Sequence, residues 1–565
     1  MLPLLALLAA MPAGYVDDVR CGECHRKQAD SYASVAMSHA FYRPRADNVI
    51  EALDTPFFHG KSNQYFAMSR RNGKLIFSRW QQTPDGKRIN VIEQPVDWII
   101  GSGNHARTYI YRTPSGEFFQ LPINWYTQTR KWGMAPGYDR PDHDGLARRV
   151  RHECLFCHNA YPQTVEDTHG YWRNQTYPAA LPEGLGCQRC HGPGAKHAQD
   201  GKRDSILNPG RLDVARRNDV CYECHMQASV ALPSIRRFGR DIYSYRPGTP
   251  LLDYMLHLDV TENDRPRGER FEINHHPYRL EQSRCFIESR GRLSCLSCHD
   301  PHVKVAKEKH AAHYRAVCIG CHSDLVHEPA IAATDDCTTC HMPQRRTQDV
   351  VQVTMTDHRI AKPTTANLTA PLEERETNLD GVDFRYPKQS SELYRTVAIL
   401  RAGGGTSRSA LAKLESLKPA EIEPLLDLAM AQLTQKKYAD LEKTASTIVA
   451  REPKNAQALE WLGIARIALG QGDEGIALIE QALAIDPTRA QTHYNLALLL
   501  AQRKRNDEAI AHLKEATRLR PNLAAAWFHL GELQTGEEAI ASYRRALAIE
   551  PRFTRAAEAI AGQSR

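Results

Sequence analysis

Two hydrophobic patterns divide the chain of 565 residues. Between about residues 55 and 135, apolar and polar positions alternate in short runs such as RRNGKLIFSRW and TYIYRTPSGEFFQLPINWY. Asn-Gly, Asp-Gly and Ser-Gly dipeptides join these runs. A period of two with such dipeptides predicts β-strands connected by tight turns. We therefore expect a small β-hairpin module in this stretch.

The second pattern covers residues 391–565, which are rich in alanine and leucine. Prolines recur there every 34 residues and then once after 30, at Pro419, Pro453, Pro487, Pro521 and Pro551. A period of 34 is that of the tetratricopeptide repeat (TPR), a helical hairpin that stacks on its neighbours. Small residues such as Gly463 and Gly531 recur where the paired helices would touch. We expect an α-solenoid here, joined through a linker at residues 363–390.

Cysteine is the most informative residue type before residue 363. Fourteen of the fifteen cysteines form seven Cys-x-x-Cys pairs, and a histidine directly follows each pair. We number these motifs 1 to 7 in chain order: Cys21/Cys24/His25, Cys154/Cys157/His158, Cys187/Cys190/His191, Cys221/Cys224/His225, Cys295/Cys298/His299, Cys318/Cys321/His322 and Cys337/Cys340/His341. Covalent attachment of haem c needs two thiols and an imidazole in this order. The pattern predicts seven covalently bound haems c, with the motif histidines as proximal iron ligands.

Other uses of Cys-x-x-Cys pairs explain the pattern less well. A closed zinc site takes four ligands from two such pairs, and seven pairs do not divide into fours. Disulfide or redox pairs give no reason for a histidine after every second cysteine. Cys285 alone lies outside the motifs. A buried free thiol, an intermolecular disulfide and a special ligand remain open for it.

The stretch CLSCHDPH contains a second histidine, His302, three residues after His299. Since His299 would take the proximal face of its own haem, His302 is poorly placed to reach the opposite face. One interpretation is that His302 ligates the iron of a neighbouring haem, which requires two closely packed haems. The other is that it is a surface or propionate-binding histidine.

Several other histidines stand in phrases that resemble the multihaem cytochromes related to hydroxylamine oxidoreductase, pentahaem nitrite reductase and the tetrahaem cytochrome of ammonia oxidisers. The resemblance covers about residues 18–362 and rests on SVAMSHA, IGSGNHARTY, CHGPGAKH, INHHPYRL, CHDPH and MTDHRI. It implies distal iron ligands at His39, His105, His197, His275 or His276, His302 and His358. His327, in CHSDLVHEP, completes the set of seven.

Alternatives to this distal set stay open. Each member could be an ordinary surface histidine, and seven others could replace one of them: His59, His143, His152, His169, His257, His310 and His313. Met226 and Met342 directly follow motif histidines, so they cannot reach the opposite haem face. Bis-histidine ligation is therefore expected, with lower reduction potentials than His/Met ligation.

The first fourteen residues, MLPLLALLAAMPAG, form an apolar run of the length of a secretory signal, with cleavage expected between Ala10 and Gly14. The first basic residue is Arg20, so the usual charged start of a signal is missing. The apolar run and the cysteine chemistry together predict export to a bacterial periplasm or to the exterior of the cell. No other segment reaches about 18 apolar residues, so no transmembrane span is expected.

These predictions combine into one fold class. We expect a mainly α protein: a loop-rich heptahaem cytochrome domain over residues 15–362, with the β-rich insert, followed by the TPR α-solenoid. The formal net charge of +7 has no nucleic-acid motif behind it, so no nucleic-acid partner is expected. The oligomeric state is left open.

Haems with both axial positions filled can exchange electrons but cannot bind a substrate at iron. An exported electron-transfer protein is therefore expected, with redox partner proteins docked by the TPR domain and no catalytic residue assigned. One alternative is an oxidoreductase with one open haem acting on a small nitrogen or sulfur compound, although the Cys-x-x-Cys-Lys site of pentahaem nitrite reductase is missing. A redox-active structural or assembly protein is the second alternative.

Overall fold

The computed structural model describes residues 13–161, 171–226, 235–261, 267–323, 327, 335–375, 381–385 and 390–563. The first ten strands of this part are β1 (Phe41–Tyr42), β2 (Phe57–His59), β3 (Gln64–Arg71), β4 (Lys74–Gln82), β5 (Arg88–Pro95), β6 (Trp98–Ile100), β7 (Ala106–Arg112), β8 (Phe118–Tyr126), β9 (Lys131–Met134) and β10 (Arg149–Val150). They form two antiparallel sheets. One has the order β2-β3-β4-β5, and the other has the order β1-β6-β7-β8-β10, with β9 also on β8.

The turn between β3 and β4 shows how the sequence builds these sheets. Asn72 and Gly73 both have positive φ, at 51° and 76°. A two-residue hairpin of this kind needs that conformation at both positions, which Asn-Gly adopts at little cost. Alternate residues of β3 are then buried, among them Phe66 and Met68. Phe66 and Met68 belong to an apolar core that includes Leu121 of the other sheet.

Expectation and structure differ in the extent of β-structure. The sheets begin at Phe41 and end at Val150, so the N-terminal half holds far more than a small hairpin module. Strands as short as β1 and β10 show no period of two, because two residues cannot show one. The mainly helical expectation therefore describes the C-terminal part of the chain, not the N-terminal part.

Short helices follow one another through the cysteine-rich part of the chain. They are α1 (Val19–Cys24), α2 (Arg26–Tyr32), α3 (His152–Phe156), α4 (Gln188–His191), α5 (Ala195–Asp200), α6 (Val214–His225), α7 (His276–Leu280), α8 (Arg284–Glu288), α9 (Cys295–Cys298), α10 (His310–Ile319) and α11 (Cys337–His341). Three two-stranded sheets lie between and after them: β11 (Ile235–Arg236) with β12 (Met255–Leu256), β13 (Leu258–Thr261) with β16 (Gly381–Phe384), and β14 (Gln344–Arg346) with β15 (Thr354–Thr356). Every motif begins within or at the cap of one of these helices.

The C-terminal part is a succession of helices: α12 (Glu392–Ala402), α13 (Arg408–Leu417), α14 (Ile422–Thr434), α15 (Tyr438–Arg451), α16 (Ala456–Ala468), α17 (Gly472–Ile485), α18 (Ala490–Gln502), α19 (Asn506–Leu519), α20 (Ala524–Leu533), α21 (Gly536–Ile549) and α22 (Thr554–Gln563). The shorter last repeat loses its residues from α20, which has 10 residues where α18 has 13. That difference is close to one helical turn. Among the helices of the described ranges, none is long and apolar enough to cross a membrane.

The repeat helices pack against the N-terminal half. Leu256 and Val382, from two of the small sheets, share one apolar core with Leu411 and Leu425 of the first repeat helices. At the other end of the array, Ile549 joins the core of the two large sheets. The two halves of the chain therefore share buried surface at both ends of the helical array.

Candidate haem-binding sites

Five motif histidines each face one non-motif histidine across a similar gap. The ring centres lie 5.9–6.2 Å apart in the pairs His25/His197, His191/His302, His225/His276, His299/His358 and His327/His341. In every pair, the histidine that is not part of a motif comes from another segment of the chain and belongs to the predicted distal set.

This spacing suits a metal between the two rings. Bonds of about 2 Å from a metal to each ring nitrogen put the two ring centres about 6 Å apart. The rings of His25 and His197 are inclined by 17° and those of His191 and His302 by 24°. By contrast, the rings of His276 and His358 are only 4.6 Å apart, too close for a shared ligand position. Through these two rings, the His225/His276 pair touches the His299/His358 pair.

Backbone carbonyls orient several of these imidazoles. The Nδ1 atoms of four histidines lie within hydrogen-bond distance of a carbonyl oxygen: His191 with Leu207 at 2.8 Å, His197 with Lys202 at 2.8 Å, His341 with Ala361 at 2.8 Å and His358 with Thr356 at 3.1 Å. A carbonyl oxygen only accepts, so Nδ1 carries the proton and Nε2 keeps the lone pair. A metal-ligating histidine needs that tautomer.

Burial keeps the inner imidazoles neutral. It lowers the pKa of His158 and of His358 to about 4 in each case, and neighbouring imidazoles add to the effect. Burial also lowers the pKa of His276 well below its ordinary value, and the neighbouring His358 ring adds to this lowering. A histidine must be neutral to ligate a metal. These rings are in that state at neutral pH.

The motif thiols meet in groups drawn from different motifs. Four thiols lie beside a thiol of another motif: Cys187 beside Cys21, Cys224 beside Cys157, Cys221 beside Cys295 and Cys318 beside Cys337. Motif 1 therefore contacts motif 3, motif 2 contacts motif 4, motif 4 contacts motif 5, and motif 6 contacts motif 7. Arg189 of motif 3 also donates to Cys224 Sγ over 3.7 Å, and Tyr314, in the helix that carries Cys318, lies 3.4 Å from His299 Nδ1. These two contacts complete a connected set of seven motifs.

The second thiols of the last two motifs differ from this arrangement. Cys321 and Cys340, both predicted to form haem thioethers, have exposed side chains, whereas Cys318 and Cys337 are partly buried. Cys321 lies beyond Ile319, where α10 ends, so it is not held on the helix that carries Cys318. Cys340 Sγ accepts only a local contact from Thr339 Oγ1, at 3.9 Å. The structure therefore does not enclose these two thiols, and their thioether role stays a prediction from the motif spacing.

Exposure is shared by two thiols of the earlier motifs. Cys24 of motif 1 and Cys154 of motif 2 are also exposed. Each belongs to a motif whose other thiol, Cys21 or Cys157, contacts a further motif. In motifs 1, 2, 6 and 7, one thiol thus makes the contact between motifs while the other lies at the surface.

Two motif thiols are too basic to be reactive nucleophiles, and one cluster of side chains falls short of a closed zinc site. Burial raises the pKa of Cys190 to about 12 and that of Cys318 to about 11, so both are protonated at neutral pH. Within the described ranges, one group of side chains has metal-ligand spacing, formed by Asp18, Cys21 and Cys187 within 4.8 Å of one another. A closed zinc site needs four ligands.

In the part of the chain that the structure describes, two of the predicted distal histidines, His39 and His105, face no second imidazole at this spacing. His39 lies 3.1 Å from Ser38 Oγ. His105 is half-buried near His276, and burial lowers its pKa. For His158 and His322, the described residues give no imidazole pair near 6 Å.

The contacts of the two rings distinguish His275 from His276 as the candidate distal ligand. His276 faces His225, whereas His275 Nε2 lies 3.4 Å from a carboxylate oxygen of Glu272 in a buried site. Other histidines have partners of their own: His59 bonds Asp139 at 3.0 Å, and His310 bonds Asp336 at 3.0 Å. His313 Nε2 lies 3.2 Å from the Cys298 carbonyl, and His143 Nδ1 accepts from the Gly145 amide. His152 and His257 are buried. His169 lies outside the described residues.

One buried ion pair in this region was not predicted from sequence. Arg189, between the two cysteines of motif 3, donates to Glu223 at 3.1 Å and stacks over Phe156 and Tyr161. Burial raises the pKa of Glu223 to about 8, although Arg189 opposes that shift. The sequence feature that could have indicated this pair is the position of Arg189 between the two cysteines of CQRCH. Cys285 is partly buried, and burial raises the pKa of its thiol.

Comparison with known proteins defines the class of the C-terminal part. Two models of the tetratricopeptide repeat match residues 455–522 and 494–552, so this region consists of TPRs. TTC0263, a thermophilic TPR protein of Thermus thermophilus, is 25% identical over 31% of this chain and 97% of its own, with a TM-score of 0.26. MamA is 20% identical over 29% of this chain and 92% of its own, with a TM-score of 0.24.

A further relative is a cytochrome. Multiheme cytochrome MtrA of Shewanella baltica (strain OS185) is 23% identical over 192 residues. The match covers 30% of this chain and 52% of MtrA, so the chain spans about half the length of that relative. The similarity is weak, and it concerns a protein with several haems.

Proposed function

We propose that the protein is an exported heptahaem c-type cytochrome that transfers electrons between proteins in a bacterial periplasm or outside the cell. The observation that supports this proposal most directly is the set of five imidazole pairs at 5.9–6.2 Å. Each pair contains a motif histidine and a histidine of the predicted distal set. The similarity to a multihaem cytochrome agrees with it.

The chain's own residues would bind haem in three ways. The motif cysteines would form thioethers, and the paired imidazoles would ligate iron from both sides. Buried arginines such as Arg189 would meet the anionic propionates. Bound haem supplies one-electron exchange. We assign the cytochrome part to the hydroxylamine oxidoreductase, pentahaem nitrite reductase and tetrahaem cytochrome superfamily, on the phrases around the distal histidines.

Contacts between motifs give an order for the proposed electron route. Motif 1 touches motif 3, motif 3 touches motif 4, and the sequence of contacts continues through motifs 5, 6 and 7. Motif 2 touches motif 4 and forms a branch. A connected order suits a carrier, because each site has a neighbour to which it can pass an electron.

A second candidate function rests on His158 and His322. Neither faces a second imidazole near 6 Å within the described ranges, whereas five motif histidines do. One open axial position would make the protein an oxidoreductase for a small nitrogen or sulfur compound. The TPR domain serves protein contacts in either case, and we propose redox partner proteins as its ligands.

Spectroscopy of the purified protein tests both functions. A pyridine haemochrome assay should give seven haems per chain, and EPR of the oxidised protein should show low-spin haem only. A high-spin haem that shifts on addition of nitrite, hydroxylamine or cyanide would instead support the oxidoreductase. A polypeptide without haem mass and without Soret absorbance would refute both.

A further inference from the structure

The residue before three of the five repeat prolines contacts the N-terminal half of the chain. Glu452, Asp486 and Arg520 occupy this position in three successive repeats, 34 residues apart. Arg173 Nη2 donates to Glu452 Oε2 at 2.8 Å, and Asn174 Nδ2 donates to Asp486 Oδ2 at 3.4 Å. Neighbouring residues of one segment thus meet equivalent positions of neighbouring repeats. We name Glu452, Asp486 and Arg520 the pre-proline row.

Arg520 continues the row with a buried ion pair. Its guanidinium donates to both carboxylate oxygens of Glu117, at 2.7 and 2.9 Å. Glu117 is 2% exposed and Arg520 is 8% exposed at the side chain. The Ser115 amide also donates to the Leu519 carbonyl at 3.1 Å, so backbone and side chains fix the same turn. A bidentate pair of this kind is specific in geometry as well as in charge.

Helices at the start of the array hold the same segment. Trp172 Nε1 donates to Asp427 Oδ1 at 2.6 Å. Arg401 binds both oxygens of Asp427 at 2.8 Å and lies over the Tyr171 ring, 4.5 Å from its centre. Side chains 171 to 174 are therefore all in contact with the repeat domain.

This segment leads directly to motif 2. The His152 amide, at the start of α3, donates to Gln175 Oε1 at 2.9 Å. Arg151 lies over the Tyr171 ring, 4.3 Å from its centre. Helix α3 carries Cys154, the first thiol of motif 2. A continuous series of contacts thus runs from the repeat domain through segment 171–175 to the helix of that thiol.

We propose that the TPR domain is an internal clamp, in which Glu452 and Asp486 of the pre-proline row recognise segment 171–175 of this same chain while Arg520 holds Glu117, and that the clamped segment positions motif 2 for haem attachment. The ligand of this edge is a segment of aromatic and polar side chains, whose one arginine is matched by the acidic residue Glu452. Partner proteins must then bind elsewhere on the repeats. The haem part of this inference rests on the proposed function, but the clamp itself does not.

A charge swap at the exposed end of the row tests the clamp in the full-length protein. Arg173→Glu places two carboxylates opposite each other, and we expect amide exchange over residues 171–177 and 152–158 to rise about tenfold. In peptides from the same sample, haem occupancy at Cys154/Cys157 should fall more than at Cys337/Cys340. Adding Glu452→Arg should restore both readouts, which a variant that merely misfolds would not do.

The matched control is Arg505→Glu, which disrupts the exposed Arg505/Glu508 pair in the same repeats without touching the N-terminal half. It should leave both readouts at the wild-type level. Unchanged exchange in Arg173→Glu, or exchange that the double variant does not restore, would overturn the clamp. Raised exchange with full haem occupancy at motif 2 would overturn its positioning role. A wild-type protein without haem at any motif would refute the proposed function, while exchange would still decide on the clamp.

Discussion

The imidazole of His302 faces that of His191, with ring centres 5.9 Å apart and planes inclined by 24°. His191 closes motif 3, whereas His302 follows motif 5 three residues after His299. His299 itself faces His358 at 6.2 Å. The second histidine of CLSCHDPH therefore lies opposite a different motif, and it connects motifs 3 and 5.

His302→Ala should remove the distal ligand of the motif 3 haem and leave all haems attached. We expect EPR of the oxidised variant to show one high-spin haem in place of one low-spin haem, with an unchanged haemochrome count. Because His191 and His302 would ligate the same haem, the double variant His191→Ala/His302→Ala should still alter one haem. The double variant His299→Ala/His302→Ala should alter two, because His299 would ligate a different haem.

His310→Ala is the control for this experiment. His310 lies nearby in the chain but bonds Asp336 and faces no motif histidine at this spacing in the described part of the chain. It should keep the wild-type low-spin spectrum. Two altered haems in the His191/His302 double variant would contradict the pairing.

The candidate site could be predicted in part from sequence, since the motif residues and seven partners carry local signatures. The pairing could not, because each pair joins segments that only the tertiary structure brings together. Even adjacent residues, His275 and His276, differ in role according to which way each ring points. The repeat period predicted the solenoid, but nothing in it indicated that Arg520 meets Glu117 in a strand turn 403 residues earlier in the chain.

Arg520→Ala should destabilise the protein by about 2 kcal/mol, because it removes a bidentate charged hydrogen bond from buried Glu117 and leaves Arg149 to compensate that carboxylate. Urea denaturation at pH 7 measures this. Glu508→Gln, at an exposed pair in the same repeats, should have no measurable effect. An Arg520→Ala variant as stable as the wild type would contradict a role for the pair in holding the two halves together.

The same pair should make stability depend on pH. Burial favours protonated Glu117, but Arg520 and Arg149 outweigh burial and lower its pKa. A carboxyl whose folded pKa lies below its unfolded value, about 4.3, contributes stability that is complete above that value. This contribution is lost as the pH falls through the folded pKa. Glu117→Gln should therefore reduce the loss of stability between about pH 5 and more acidic conditions, as urea titrations at several pH values would show.

Gly463→Ala should destabilise the repeat domain by about 1–3 kcal/mol through overpacking. A Cβ at this position would lie 2.6 Å from the Gly475 carbonyl oxygen and 2.7 Å from Ile479 Cγ1. Gly562→Ala is the control, since a Cβ there meets nothing within 4 Å. The control should be neutral or slightly stabilising, because alanine favours helix. Equal thermal midpoints for the two variants would contradict close packing of α16 on α17.

Replacing both thiols of motif 3, Cys187→Ser with Cys190→Ser, should lower the haemochrome count from seven to six and remove one haem mass from the intact protein. Cys285→Ser is the matched control, because it removes a cysteine outside every motif and should leave seven haems. If the cysteines served disulfides or zinc instead, neither variant would change haem mass. Motif 3 also contacts motifs 1 and 4. Motif 3 lies between motif 1 and motif 4 in the proposed electron route, so loss of its haem separates motif 1 from the rest of the route. We therefore expect the six-haem variant to be reduced more slowly at motif 1 than at motif 7.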